Sequence, residues 1–221
     1  MTEHHLAVTR SARYYQLGEL SDRTRRVWVV CHGYGQLAAY FVRHFAFLVE
    51  ADPTTVVIAP EGLSRFYLNG TDGRVGASWM TRDDRLHEII DHLGFLDQLT
   101  DKVLAECPPE VHLTVLGFSQ GTATVSRWLA QARFRPAHLI LWAGGFPEDL
   151  DPADARRLLE SLPLTVVTGT DDEYITPSRI AHLQQQLQQL GATPTLISFT
   201  GKHELNRAVL AELGGFGSLG R

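Results

Sequence analysis

Val111-His112-Leu113-Thr114-Val115-Leu116 runs straight into Gly117-Phe118-Ser119-Gln120-Gly121, and a helix-forming stretch follows from Gln120 to about residue 133. The first run is apolar and rich in β-formers, as a strand buried on both faces should be. The pentapeptide is G-x-S-x-G in the strand–turn–helix setting that gives this motif its meaning. The turn is so tight that its serine must take a strained backbone angle. Glycines two before and two after let strand and helix pass without a Cβ clash. Ser119 Oγ is then lifted above the sheet edge. Neighbouring N–H groups at the helix start point at the same space and favour a developing negative charge. Ser119 is the candidate nucleophile.

Working outward, short β-rich runs alternate with longer amphipathic ones. Arg26–Cys31, Thr55–Ala59, Val111–Gly117, His138–Trp142, Leu164–Thr168 and Pro194–Phe199 read as strands, and Tyr14–Leu17 as an extra edge strand. Helices are expected near 36–51, 82–106, 120–133, 152–161, 177–190 and 204–213. The second is the clearest: Leu86, Ile89, Ile90, Leu93, Leu96 and Leu99 recur at helical spacing, and Pro108 follows its end. The alternation implies a single α/β domain over residues 1–221, a mostly parallel central sheet with helices on both faces. Residues 1–5 and 214–221 are expected to be flexible tails. Glu61–Thr81 is glycine-rich, lacks periodicity and reads as a long functional loop. About twenty residues separate the strand ending at Trp142 from the one starting at Leu164, which leaves no room for a large lid domain. The architecture expected is the α/β-hydrolase fold.

A serine hydroxyl needs a base within hydrogen-bond reach. In this fold the partners follow the nucleophile in the order acid, then histidine. Only His138, His182 and His203 come after Ser119. His138 opens a strand and His182 sits within a helix, so both read as structural or solvated. His203, in Thr200-Gly201-Lys202-His203-Glu204, follows the last strand and can swing over the sheet top. The acid should leave the end of the preceding strand, where Asp171, Asp172 and Glu173 compete.

Composition narrows the alternatives. The chain has 221 residues, 44% apolar and 20% charged, with a net charge of −5. Those values suit a globular domain and give no reason to expect a nucleic-acid partner. No apolar run approaches the roughly 20 residues of a membrane span, and the first fifteen residues do not resemble a signal peptide. Cys31 and Cys107 read as reduced thiols, which with the rest implies a cytoplasmic protein. Ten histidines include no close pair with zinc-ligand spacing; His87 and His92 fall on different faces of one helix. No metal site and no cofactor are expected.

The residues then resemble a family, the carboxylesterase, phospholipase and acyl-protein thioesterase group of small α/β-hydrolases. The likeness runs from Val27 to about Glu212. It is carried by Cys31-His32-Gly33-Tyr34-Gly35, Gly117-Phe118-Ser119-Gln120-Gly121, Gly169-x-x-Asp172-x-x-Ile175 and Gly201-x-His203, with Ser78-Trp79 and Gly144-Gly145-Phe146-Pro147 beside them. The resemblance selects Asp172 as the acid. It implies that the Tyr34 and Gln120 N–H groups form the oxyanion hole, and that His32 buttresses that turn. The chain departs from the family at Tyr34, at Met80-Thr81 and at Thr122, where a glycine is usual.

The function expected is hydrolysis of a carboxylic ester, or of a thioester or lysolipid, through Ser119, Asp172 and His203. Tyr67, Trp79, Phe146 and Tyr174 are expected to wall an apolar acyl pocket. The expected partner is a small acyl ester or thioester, and a homodimer is left open. A ligand-binding module on a hydrolase scaffold is the competing reading, against which the three intact polar residues argue.

Overall fold

The computed structural model describes residues 1–216. In chain order its elements are β1 (Tyr14–Leu17), β2 (Arg26–Cys31), α1 (Ala38–Phe41), a 3₁₀ turn (Val42–Phe45), α2 (Ala46–Ala51), β3 (Thr55–Pro60), β4 (Ser64–Tyr67), β5 (Val75–Ser78), α3 (Arg85–Ala105), β6 (His112–Phe118), α4 (Gln120–Gln131), β7 (His138–Trp142), α5 (Pro152–Leu159), β8 (Leu164–Gly169), α6 (Pro177–Gln189), β9 (Thr195–Phe199) and α7 (Arg207–Leu213). Seven strands form one sheet in the order β1-β3-β2-β6-β7-β8-β9. Within this sheet the β1–β3 pair is antiparallel and the rest are parallel.

The nearly continuous apolar strands feed two cores. Val27, Val29 and Cys31 of β2, Leu113 and Val115 of β6 and Leu139 and Leu141 of β7 face one side, against α3, α4, α5 and α6. The residues between them, Trp28, Val30, Leu116, Phe118, Ile140 and Trp142, face α1, α2 and α7 on the other. This is period-two alternation in strands whose two faces are both covered. Each of these side chains, fully buried, contributes about 1.5–3 kcal/mol.

Three expectations need correction. The helix expected over 36–51 is two short α-helices joined by a 3₁₀ turn; Phe41, Val42, Phe45 and Leu48 are all buried, and their spacing suits a tightened helix. The stretch Glu61–Thr81 is not a plain loop. β4 and β5 form an antiparallel hairpin in register Ser64↔Ser78 to Tyr67↔Val75. Gly76 allows the approach to the loop after β2: a Cβ there would sit 2.5 Å from the Gly35 carbonyl oxygen. Finally, Gly214–Phe216 are docked rather than free. Phe216 N–H closes on Ala211 O at 2.7 Å, and the Arg26 guanidinium bonds Gly214 O and covers the Phe216 ring. Residues 217–221 of the expected C-terminal tail lie outside the described residues.

Candidate active site

The strand β6 ends at Phe118 and α4 begins at Gln120, so Ser119 is the whole turn between them. Its backbone stands at φ 53°, ψ −116°, a conformation that costs a non-glycine residue about 1–3 kcal/mol. The surroundings over-determine it. Ser119 N–H bonds Trp142 O at 2.8 Å, and Thr122 N–H and Oγ1–H both reach Ser119 O. A Cβ on Gly117 would lie 2.4 Å from Gly121 O, and one on Gly121 would lie 2.3 Å from Cys31 O. The two glycines of the motif are where strand, helix and the end of β2 touch backbone to backbone.

His203, in the loop between β9 and α7, spans the distance to the acid. Its Nε2 lies 2.9 Å from Ser119 Oγ and its Nδ1 2.8 Å from Asp172 Oδ2. A carboxylate only accepts, so Nδ1 carries the proton and Nε2 presents a lone pair to the hydroxyl. Asp172 is buried; its Oδ1 accepts the Tyr174 and Ile175 N–H groups at 2.8 and 3.0 Å, which aim Oδ2 at the imidazole. Asp171 and Glu173 are exposed. The other two histidines stand elsewhere: His138 pairs with Thr165 Oγ1, and His182 with Glu148. A neutral imidazole so placed can take the hydroxyl proton while the carboxylate holds its tautomer.

The loop after β2 lies against Ser119. A Cβ on Gly33 would sit 3.1 Å from Ser119 Cβ, which brings Tyr34 beside the nucleophile. Gln120 opens α4, where an N–H has no acceptor within its own helix. Neither the Tyr34 nor the Gln120 N–H meets a protein acceptor among the described residues. Both loops are pinned from behind. His32 is fully buried; its Nδ1–H donates to Gly33 O at 2.7 Å and its Nε2 accepts the Gly62 N–H at 3.0 Å. Burial pushes its pKa down, which keeps Nε2 an acceptor. Gln36 Oε1 accepts the Gly33 N–H. The Gln120 side chain bonds Trp79 N–H and Met80 O.

Trp79 does not wall an acyl pocket. At 1% exposure it has no surface to offer a ligand. Its indole N–H donates to His32 O at 2.8 Å and its ring packs beside His32 and against His92. It is a pillar under the His32–Tyr34 loop, which explains why a tryptophan follows Ser78 here. The other expected wall residues differ in place. Tyr174 is exposed with its ring edge-on to His203 at 4.9 Å. Tyr67 is exposed on β4. Tyr34 is exposed too, and its ring rests on Phe66 at 5.1 Å. Phe146 lines a cavity of about 500 Å³ with Gly144, Gly145, Ile175, Arg179 and Leu183. Its Gly144–Gly145 end stands against the backbone of the Ser119 turn: a Cβ on Gly144 would fall 2.5 Å from the Ser119 carbonyl oxygen.

Two groupings were invisible in the sequence. Asp149 joins α3 to α4, bonding Arg127 and Arg85 at 2.7 Å each, and these pairs hold its pKa down to about 2. His5, Asp84 and His87 also converge, with ligand-type atoms within 4.8 Å of one another. All three are exposed and are accounted for by their own ion pairs. His5 lies far from the other two in sequence, so spacing gave no sign of it.

A seven-stranded, mostly parallel sheet with a serine at the β6–α4 turn and an acid and histidine after β8 and β9 is an α/β-hydrolase fold. Solved structures agree. The chain superposes with TM-score 0.66 on esterase PE8 (18% identity, 94% of this chain and 98% of that one). On acyl-protein thioesterase 2 of Zea mays the score is 0.70 (17% identity, 93% and 97%). On a carboxylesterase of Mesorhizobium loti it is 0.68 (19% identity, 91% and 93%). No curated protein matches by sequence. The family is given by a model described as serine hydrolase (FSH1), which matches residues 28–207; the chain belongs to the FSH1 serine hydrolase family.

Proposed function

We propose that this chain hydrolyses carboxylic esters or thioesters through an acyl-enzyme on Ser119. One observation carries the reading: His203 bridges Ser119 Oγ and the buried Asp172 carboxylate at 2.9 and 2.8 Å. His203 Nε2 takes the hydroxyl proton as Oγ attacks the acyl carbon. The tetrahedral oxygen is held by the Tyr34 N–H of the loop after β2 and the Gln120 N–H at the start of α4. His203 then returns the proton to the leaving alcohol or thiol. Water, deprotonated by the same imidazole, attacks the ester of Ser119, and the carboxylic acid leaves as Oγ is reprotonated. The acyl chain lies in the Phe146–Leu183 cavity, and Tyr174 covers His203. None of these steps calls for a cofactor or metal. No described helix is long and apolar enough to cross a membrane, and the two free thiols suit a reducing, cytoplasmic setting.

Fluorophosphonate treatment followed by peptide mass spectrometry should place one adduct, on Ser119. Chromogenic acyl esters and a thioester should be turned over by the native chain, with Ser119→Ala reducing kcat by about 10⁴-fold or more. Near-native turnover by folded Ser119→Ala would defeat the assignment. Labelling without turnover of any acyl substrate would favour a ligand-binding role.

A further inference from the structure

Beyond the cavity lined by Gly144, Phe146 and Leu183 lies a second, of about 440 Å³, between α5 and α6. Leu150, Pro152, Ala155 and Leu190 give it an apolar floor, and Arg156, Gln185 and Gln189 stand at its rim. The two cavities share four residues: Phe146, Glu148, His182 and Gln186. Three of these are polar and lie toward the surface. Phe146 is the exception, a buried ring at 5% exposure that lines both spaces at once. The polar three form a strap above it. His182 Nε2 meets Glu148 Oε1 at 2.9 Å, joining α6 to the loop that carries Phe146. Gln186 reaches toward Pro147 O on the same loop.

We propose that Phe146 is a chain-length stop, the partition that ends the acyl groove and shuts it off from a second apolar groove between α5 and α6. The inference rests on the acyl-enzyme reading above. The native chain then takes short and medium linear acyl groups, whose end meets the ring. Removing the ring joins the grooves and admits long fatty-acyl chains along Leu150, Ala155 and Leu190. Each methylene that enters an apolar groove improves transition-state binding by about fourfold until the groove is full. The native profile therefore climbs with chain length, stops at Phe146 and falls. The opened profile climbs past that point.

The test uses alkyl fluorophosphonates of increasing chain length and reads the labelling rate of Ser119, which needs no turnover. Native protein should show a rate maximum at a medium chain and a fall beyond it. In Phe146→Ala the maximum should shift by at least four carbons. Phe146→Leu keeps a buried apolar side chain and should shift the maximum in the same direction if the alanine variant does not fold. Adding Leu190→Trp to either should fill the second groove and return the maximum to its native position. A profile that keeps its maximum in both Phe146 variants, or one lowered equally at all lengths, overturns the length stop alone. A native protein that no fluorophosphonate labels overturns the hydrolase reading and the stop with it.

Discussion

On one side of Ser119, Gly117 and Gly121, Gly121 and Cys31, Gly76 and Gly35, and Gly62 and Ser78 meet backbone to backbone, at separations no Cβ could survive. On the other side, residues 144–150 and 174–186 meet through side chains, with cavities between them. The first wall has no room for an added methyl, and its tolerance for change is correspondingly small. The second sets a shape, and shapes can be altered residue by residue. On the proposed reading, main chain holds the turn that carries Ser119, and side chains shape the space for the acyl group.

The sharpest way to break that contrast is at the acid. Asp172→Asn should lower kcat by about 10³–10⁴-fold, since an amide no longer enforces the His203 tautomer. Asp171→Asn, one residue away but exposed, should leave kcat within about twofold. Steady-state kinetics on one ester decides it, and reversed effects would move the acid to Asp171. A pair of glycines compares the walls themselves. Gly121→Ala puts a methyl 2.3 Å from Cys31 O and should cost about 3 kcal/mol or more. Gly145→Ala meets nothing within 4 Å and should stay within about 0.5 kcal/mol. Urea denaturation measures both; equal effects would erase the distinction.

Acid should find the rigid wall next. His92 is fully buried, its Nδ1–H bonds Trp79 O at 3.1 Å and its Nε2 has no partner among the described residues. Burial lowers its pKa to about 4. Unfolded histidine protonates near 6.5, so below that pH the unfolded chain gains a proton that the folded one refuses. Stability should therefore decline from about pH 6.5 to 4, by about 3 kcal/mol from this group. His32 pulls the same way. His92→Phe should lose much of the decline, read as urea midpoints at pH 7 and 4.5. An unchanged slope would sink the idea. The smallest effect belongs to the opposite wall. Asp149, depressed to about 2 by Arg127 and Arg85, stabilises the fold above its unfolded pKa of about 3.9, and that contribution fades as pH falls through about 2. The carboxylate is 38% exposed, so screening leaves about 1 kcal/mol for Asp149→Asn. The loss should shrink in high salt; a salt-independent loss of several kcal/mol would mean this wall is as rigid as the other.

What the sequence made legible follows the same division. Strands buried on both faces announce themselves as apolar runs, and all seven sheet strands could be delimited to within a residue, as could the G-x-S-x-G turn. Asp172 and His203 were placed by chain order and by likeness to a family, and the structure brings both to Ser119. The β4–β5 hairpin was illegible because each strand has only four residues and the segment between them is polar. Trp79 was misread because an aromatic residue in a loop near a nucleophile looks the same in sequence whether it faces a ligand or props a turn. Only its hydrogen bond to His32 O and its burial separate the two. Asp149 with its arginines could not have been found, since nothing local marks a partner twenty-two and sixty-four residues away.

The Thr122 hydroxyl meets Ser119 O at 2.7 Å and Gly145 O at 2.8 Å. It nests where Gly144 leaves a space, since a Cβ there would strike Thr122 Oγ1 at 2.3 Å. The two positions are therefore a matched pair, and inheritance should treat them as one unit. A 144–150 segment grafted from a relative with a bulkier first residue would be rejected by the threonine. The same segment in a chain with glycine at 122 would lose its anchor. Swapping acyl walls between such enzymes is then a transplant with a compatibility rule: the donor loop and residue 122 travel together.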